Sequence, residues 1–190
     1  VDPSCEITLE ANPGTTDHAL FIDFHQAGIN RLSLGIQSFN NLGLKALGRI
    51  HSGPDARAAI EQALDVPFRS INGDIMYALP KQNIESALDD LSIMTQYQLQ
   101  HISWYELTIE PNTYFHRFPP KRANSDIRHQ MELEGLALLK QHGYQRYEIS
   151  AFSRKHNQCQ HNQNYWLFGD YMGIGAGAHS KMTLANGHII

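Results

Sequence analysis

The chain has 190 residues, 42% of them hydrophobic, and a formal net charge of -4 at pH 7. That is enough for one well-buried core but short of the about 250 residues that a complete (β/α)8 barrel needs. The acidic balance and the lack of a basic run exclude nucleic acid as the main partner, and no apolar run approaches a membrane span, which leaves membrane contact only through a partner.

Two cysteines, Cys5 and Cys159, are too few and too far apart for a disulfide framework and fit a reducing compartment, with the cytoplasm as the expected location. Val1 is not an initiator methionine, and His188-Ile189-Ile190 reads as the middle of a strand. The sequence therefore reads as an internal piece of a longer protein.

The first strand is CEITLE, where Cys5, Ile7 and Leu9 oppose Glu6, Thr8 and Glu10 with the period of two that a strand imposes. NPGTT then turns, Thr16 is the expected N-cap, and a helix runs to Gln26 or Ala27 before Gly28. RLSLGIQSF, Arg31 to Phe39, repeats the alternation: Leu32, Leu34 and Ile36 on one face, Arg31, Ser33, Gly35 and Gln37 on the other. Asn40 caps a short helix through Leu47, Gly53-Pro54 opens another, and Val66-Pro67 ends it. The third strand, Ser70 to Tyr77, again opposes Ile71, Ile75 and Tyr77 to Asn72 and Asp74.

Asn83 caps the next helix, in which Ile84, Ala87, Leu88 and Leu91 recur at helical spacing to about Tyr97. The fourth strand is expected over His101 to Glu110, followed by PNTYFHRFPPKR as an irregular, proline-punctuated connection. A longer helix spans about Ser125 to His142 and stops at Gly143. Composition changes at Gln145: RYEIS is a short strand, SRKHNQCQHNQ a polar loop, and NYWLFGDYMGIGAGAHS a lid or pocket wall. The division is therefore expected at 1-144, a barrel portion, and 145-190, a C-terminal region.

Strands alternating with helices imply an α/β fold with a parallel sheet, the helices covering the apolar face. The polar faces then line a lumen with Glu6, Thr8, Glu10, Ser33, Gln37, Asn72 and Asp74, where an ordinary closed barrel packs Val, Ile and Leu. The competing arrangement is an antiparallel sheet with one face in water, which the intervening helices disfavour.

Glu10, Gln37 and Asp74 fall at or near the C-terminal ends of their strands, where parallel α/β folds place their chemistry. Two carboxylates and an amide can accept bonds from an amino group, ribose hydroxyls or a purine edge, which suits a nucleoside or amino-acid ligand. Buried water or loop amides would satisfy the same groups structurally. Arg49, in GRIH, can reach a ligand carboxylate with its planar fork or stay solvated.

HNQNYW, His161 to Trp166, combines a histidine with two aromatics, which can bind a flat conjugated ligand or offer an axial imidazole to iron. His156, Cys159 and His161 match no standard zinc spacing and supply only three ligands. GIGAGA, Gly173 to Ala178, lets backbone approach a cofactor or a neighbour but lacks the spacing of a dinucleotide fingerprint.

LEANPGT, GINRLSLGIQSF, LGRIH, GDIMYALPKQ, HISWYELTIEPNTYF, YEISAF and HNQNYW together resemble the HemW family, the heme chaperone branch of the radical SAM, coproporphyrinogen III oxidase-like proteins. The resemblance covers nearly the whole chain in unbroken order. It implies an open, partial (β/α)6 barrel that binds S-adenosylmethionine (SAM) beside a [4Fe-4S] cluster, with Glu10, Gln37, Arg49 and Asp74 at the SAM site. HNQNYW matches the family's HNxxYW, which makes His161 the candidate heme-interacting residue.

The family's cluster motif CxxxCxxC is absent, and Cys5 and Cys159 do not replace it. The resemblance implies that it lies upstream of Val1 with the first barrel strands, so that this chain by itself neither assembles the cluster nor cleaves SAM. No residue is assigned a catalytic or metal-ligating role. The implied function is heme chaperoning, with heme passed to a recipient hemoprotein. The alternative is oxygen-independent coproporphyrinogen III oxidation.

Overall fold

Side-chain caps set the positions of the helices in the computed structural model, which describes residues 4-15, 17-175, 178-184, 186-187 and 189. Helix α1, His18–Gln26, starts where the Asp17 carboxylate accepts the Leu20 N–H; Thr16, the expected cap, lies outside the described residues. Asn40 caps α2, Asn41–Ala46, as expected. Ser52 and Asp55 form a reciprocal capping box on α3, Gly53–Leu64, with Pro54 in its first turn. Asn83 does the same with Ser86 on α4, Ile84–Gln96, and Asn124 caps α6, Ser125–Gln141.

The strands β1 (Thr8–Ala11), β2 (Arg31–Gln37), β3 (Ser70–Tyr77) and β4 (His101–Glu106) are hydrogen-bonded in sequence order and are all parallel. β1 begins three residues later than CEITLE suggests. β4 stops at Glu106 rather than Glu110: the Leu107 N–H still donates to the Tyr77 carbonyl, but the Leu107 carbonyl is taken by the Arg122 guanidinium. The connection read as irregular contains one turn of helix, α5, Tyr114–Arg117, capped by Thr113.

Beyond β4 the sheet changes direction. Two short strands, β5 (Gln145–Arg146) and β6 (Ala151–Ser153), extend it in the order β1-β2-β3-β4-β6-β5, with β6 antiparallel to both neighbours. The sheet is therefore mixed. RYEIS is mostly the turn between these strands and not a strand itself, because the Tyr147 N–H reaches back across it to the Ala151 carbonyl.

Leu32, Leu34, Ile36, Ile71, Ile75, Ile102 and Trp104 pack with Phe21, Ile60, Leu91 and Met94 from the helices, all buried. This apolar side is why the opposite face of the sheet is left to carry polar groups. The chain divides into two compact units, Val1–Asn157 and Gln158–Ile190. The first runs past the change of composition at Gln145 because β5 and β6 join the sheet. In the second, the polar loop and aromatic segment expected around HNQNYW hold a helix, α7, Gln160–Trp166.

Candidate functional site

Parallel register brings the polar positions of successive strands into rows: Glu10 lies opposite Ser33, Ser33 opposite Asn72, Asn72 opposite His101, and Asp74 opposite Ser103. Asn72 is the hub. Its amide donates to Ser33 Oγ and to Asp74 Oδ1, both at 2.8 Å, and its carbonyl oxygen accepts from His101 Nδ1 at 2.6 Å and from the Ser103 hydroxyl at 3.2 Å. With Nδ1 carrying the proton, His101 Nε2 accepts the Tyr147 hydroxyl at 2.7 Å.

Burial, reinforced by the Arg31 charge, pushes the His101 imidazole down to about 3, so it is neutral. Burial also pushes the Asp74 carboxyl up; the hydrogen bonds from Asn72, Ser103 and Ser33 partly offset this, and the nearby Glu10 charge adds to it. Such a carboxyl gains from any cationic or hydrogen-bond-donating ligand brought to it.

Glu10 stands near the end of β1 and Gln37 at the end of β2, as expected, whereas Asp74 sits mid-strand in β3. A register shift between Leu34 and Gln37 breaks the alternation of β2, and Gln37 takes a positive φ of 60°. Gly35 explains how the side chains here can close in: a Cβ at that position would lie 2.6 Å from Asn12 Oδ1 and 2.9 Å from Gln37 Nε2. Arg49 Nη1 donates to that same Asn12 oxygen at 3.1 Å.

Tyr105, near the end of β4, senses all four of the expected residues. Its phenol is pushed up to about 12, first by burial and then by the Asp74 charge; a Gln37 hydrogen bond and the Arg49 charge oppose this, and Glu10 adds to it. Gln37 is therefore hydrogen-bonded to the phenol, and the charges of Asp74, Arg49 and Glu10 lie within its electrostatic reach. Gln37 is 3% exposed, yet its Oε1 has no hydrogen-bond partner among the described residues. Among buried groups such an orphaned acceptor is costly, and it points to a missing donor.

Asn12, Tyr105 and the Asn72–His101–Tyr147 chain were missed from the sequence. The signal for His101, Ser103 and Tyr105 was present: HISWYE alternates polar and apolar as the other strands do. Asn12 carried none, since NPGTT reads as an ordinary turn.

In the second unit, α7 puts His161 and Tyr165 one turn apart with ring centroids 4.9 Å apart, and Tyr165 also meets Tyr171 at 4.6 Å. Asn164 Nδ2 donates to the Asp170 carbonyl at 3.1 Å, which folds the following turn back on the helix. Trp166, Leu167 and Phe168 are exposed. Of GIGAGA, Ala176 and Gly177 lie outside the described residues. No group of three or more His, Cys, Asp or Glu among the described residues could hold a metal ion, and no helix among them is long and apolar enough to cross a membrane.

The family profile of the radical SAM superfamily matches residues 1–93. The fold agrees: coproporphyrinogen III oxidase HemN from Escherichia coli, a radical SAM enzyme, superposes with a TM-score of 0.82 at 24% identity, covering 94% of this chain and 45% of that one. The chain belongs to the radical SAM superfamily, a class implying S-adenosylmethionine and a [4Fe-4S] cluster.

Within the superfamily it belongs to the HemW family. It is 49% identical over 185 residues to the heme chaperone HemW of Escherichia coli (strain K12), covering 97% of this chain and 49% of the relative. It is 48% identical over 188 residues to HemW of Haemophilus influenzae, covering 99% and 49%. The chain thus spans about half the length of the curated relatives it matches. The described residues offer the cluster no ligand set, with Cys5 and Cys159 in different units.

Proposed function

We propose that the protein is a cytoplasmic heme chaperone that binds S-adenosylmethionine on the polar face of its sheet, holds heme near His161 and passes it to a recipient hemoprotein. The observation that carries this reading is the 48–49% identity, over nearly the whole chain, to proteins named heme chaperone HemW.

The donor set around Tyr105 suits S-adenosylmethionine. Its amino-acid end offers an ammonium to Glu10 or Asp74 and a carboxylate to Arg49, and its ribose offers hydroxyls to the orphaned Gln37 Oε1. Gly35 leaves room for close approach. When bound beside a reduced cluster, S-adenosylmethionine supplies one-electron chemistry; the residues here bind and orient it. HNQNYW on α7, with the exposed Trp166, Leu167 and Phe168 beside it, suits a flat apolar macrocycle carrying a metal.

Anaerobic hemin titration of the full-length protein, followed by absorbance, tests this with His161→Ala in parallel. Saturable binding that weakens in the variant is expected. Absence of saturable binding, together with conversion of coproporphyrinogen to protoporphyrinogen, would replace the chaperone by an oxidase of the kind its structural neighbour represents.

A further inference from the structure

Gln37 adopts its φ of +60° with a side chain, in the left-handed region that only glycine enters freely. The Ser38 N–H donates to the Ile36 carbonyl at 2.8 Å, which closes a three-residue γ-turn around Gln37, and the positive φ makes it the strained hand of that turn. A residue in such a conformation persists only where its surroundings over-determine it.

Here they do so from both sides. On the near side, His51 Nε2 donates to the same Ile36 carbonyl at 3.1 Å. On the far side, Asp90 of α4 accepts the Ser38 hydroxyl at 2.5 Å and the Phe39 N–H at 2.8 Å, while Ser38 Oγ accepts the Asn40 N–H at 3.0 Å. Asp90 and Ser38 are 2% and 0% exposed, and His51 is 5% exposed. Gly53 completes the enclosure, since a Cβ there would run into the Phe39 carbonyl.

Asp90 sits on the buried face of α4 beside the apolar Ala87, Leu91 and Met94. A carboxylate in such a place is costly, and packing alone would favour leucine. Among the described residues, its carboxylate bonds to the segment that follows Gln37. The turn leaves the Gln37 side chain buried, with Oε1 unpartnered among the described residues.

We propose that Asp90 and His51 are positioning residues that clamp the γ-turn, so that Gln37 presents Oε1 to a hydroxyl or amino hydrogen of the nucleoside ligand. The proposal rests on the S-adenosylmethionine reading and adds two residues that act through Gln37.

The test is a double-mutant cycle on the full-length, cluster-loaded protein, with S-adenosylmethionine affinity measured anaerobically by calorimetry. Gln37→Ala and Asp90→Ala should each weaken binding about tenfold, and the double variant should be no weaker than Gln37→Ala alone. His51→Phe should behave as Asp90→Ala does. Additive losses, or unchanged affinity in Asp90→Ala and His51→Phe, would overturn the clamp; a merely structural role gives additivity.

If Asp90→Ala does not fold, Ser38→Ala takes its place in the cycle. The strain itself is read separately: Gln37→Gly should melt above Gln37→Ala, and a Gln37→Gly variant melting at or below it would overturn the clamp. Failure of the wild type to bind S-adenosylmethionine sinks the ligand reading instead, and the two melting temperatures still judge the clamp.

Discussion

Asn72 has one amide with which to serve four neighbours, and the structure uses both of its ends: the nitrogen holds Ser33 and Asp74, the oxygen holds His101 and Ser103. This arrangement requires a neutral His101, which has a consequence for stability. The imidazole titrates near its ordinary 6.5 in the unfolded chain but near 3 when folded, so between those values the unfolded chain binds more protons. Stability is therefore lost as pH falls through that window, and His51, lowered by burial, acts in the same direction. Asp74 and Asp90, both raised by burial, act oppositely: their contribution is fully present below the ordinary 3.8 and lost as pH rises through the folded values. As pH falls from about 7 to about 4, the wild type should lose more of its urea midpoint than His101→Gln does; equal slopes would mean that His101 charges freely. Gly35→Ala should push Asn12 and Gln37 apart and weaken S-adenosylmethionine binding about tenfold with the fold intact, as calorimetry would show.

At the scale of elements, what matters is how closely the helices approach the sheet. Gly135 lets α6 lie against Trp104: a Cβ there would stand 2.7 Å from the indole Nε1, and Trp104 in turn stacks on Tyr77 at 4.7 Å. Gly135→Ala should destabilise the protein by about 1–3 kcal/mol through overpacking, seen as a lower unfolding midpoint in urea. The Asn83 capping box fixes where α4 begins, and hence where Asp90 meets the turn after β2. Asn83→Ala should cost about 1 kcal/mol in the same measurement. The junction of β4 with α6 is held differently, by Glu106 pairing with Arg128 at 2.8 Å and Arg122 at 3.6 Å; these groups are partly exposed, and the pairs add little beyond orientation.

For the whole molecule, the two cysteines set a limit, since a four-iron cluster needs more thiolates than one per compact unit. Anaerobic reconstitution of the 190-residue chain with iron and sulfide should give no stable cluster absorbance. Much of the molecule was legible beforehand because its local signals agree with one another. The alternation in β1, β2 and β3 names the polar face, Asn40 and Asn83 mark helix starts, and the strands carry Glu10 and Gln37 near their ends as the pattern implies. Periodicity and capping involve neighbours a few residues apart, so a sequence can carry them alone. The tertiary structure decided what depends on distant residues meeting: the antiparallel turn of β6 onto β4, the end of β4 at an arginine from a later segment, Tyr105 among four charged or polar groups, and a buried acid on α4 paired across 52 positions with Ser38. Hydrogen bonds and burial of that kind exist only once the chain has closed on itself, and no local pattern encodes their partners.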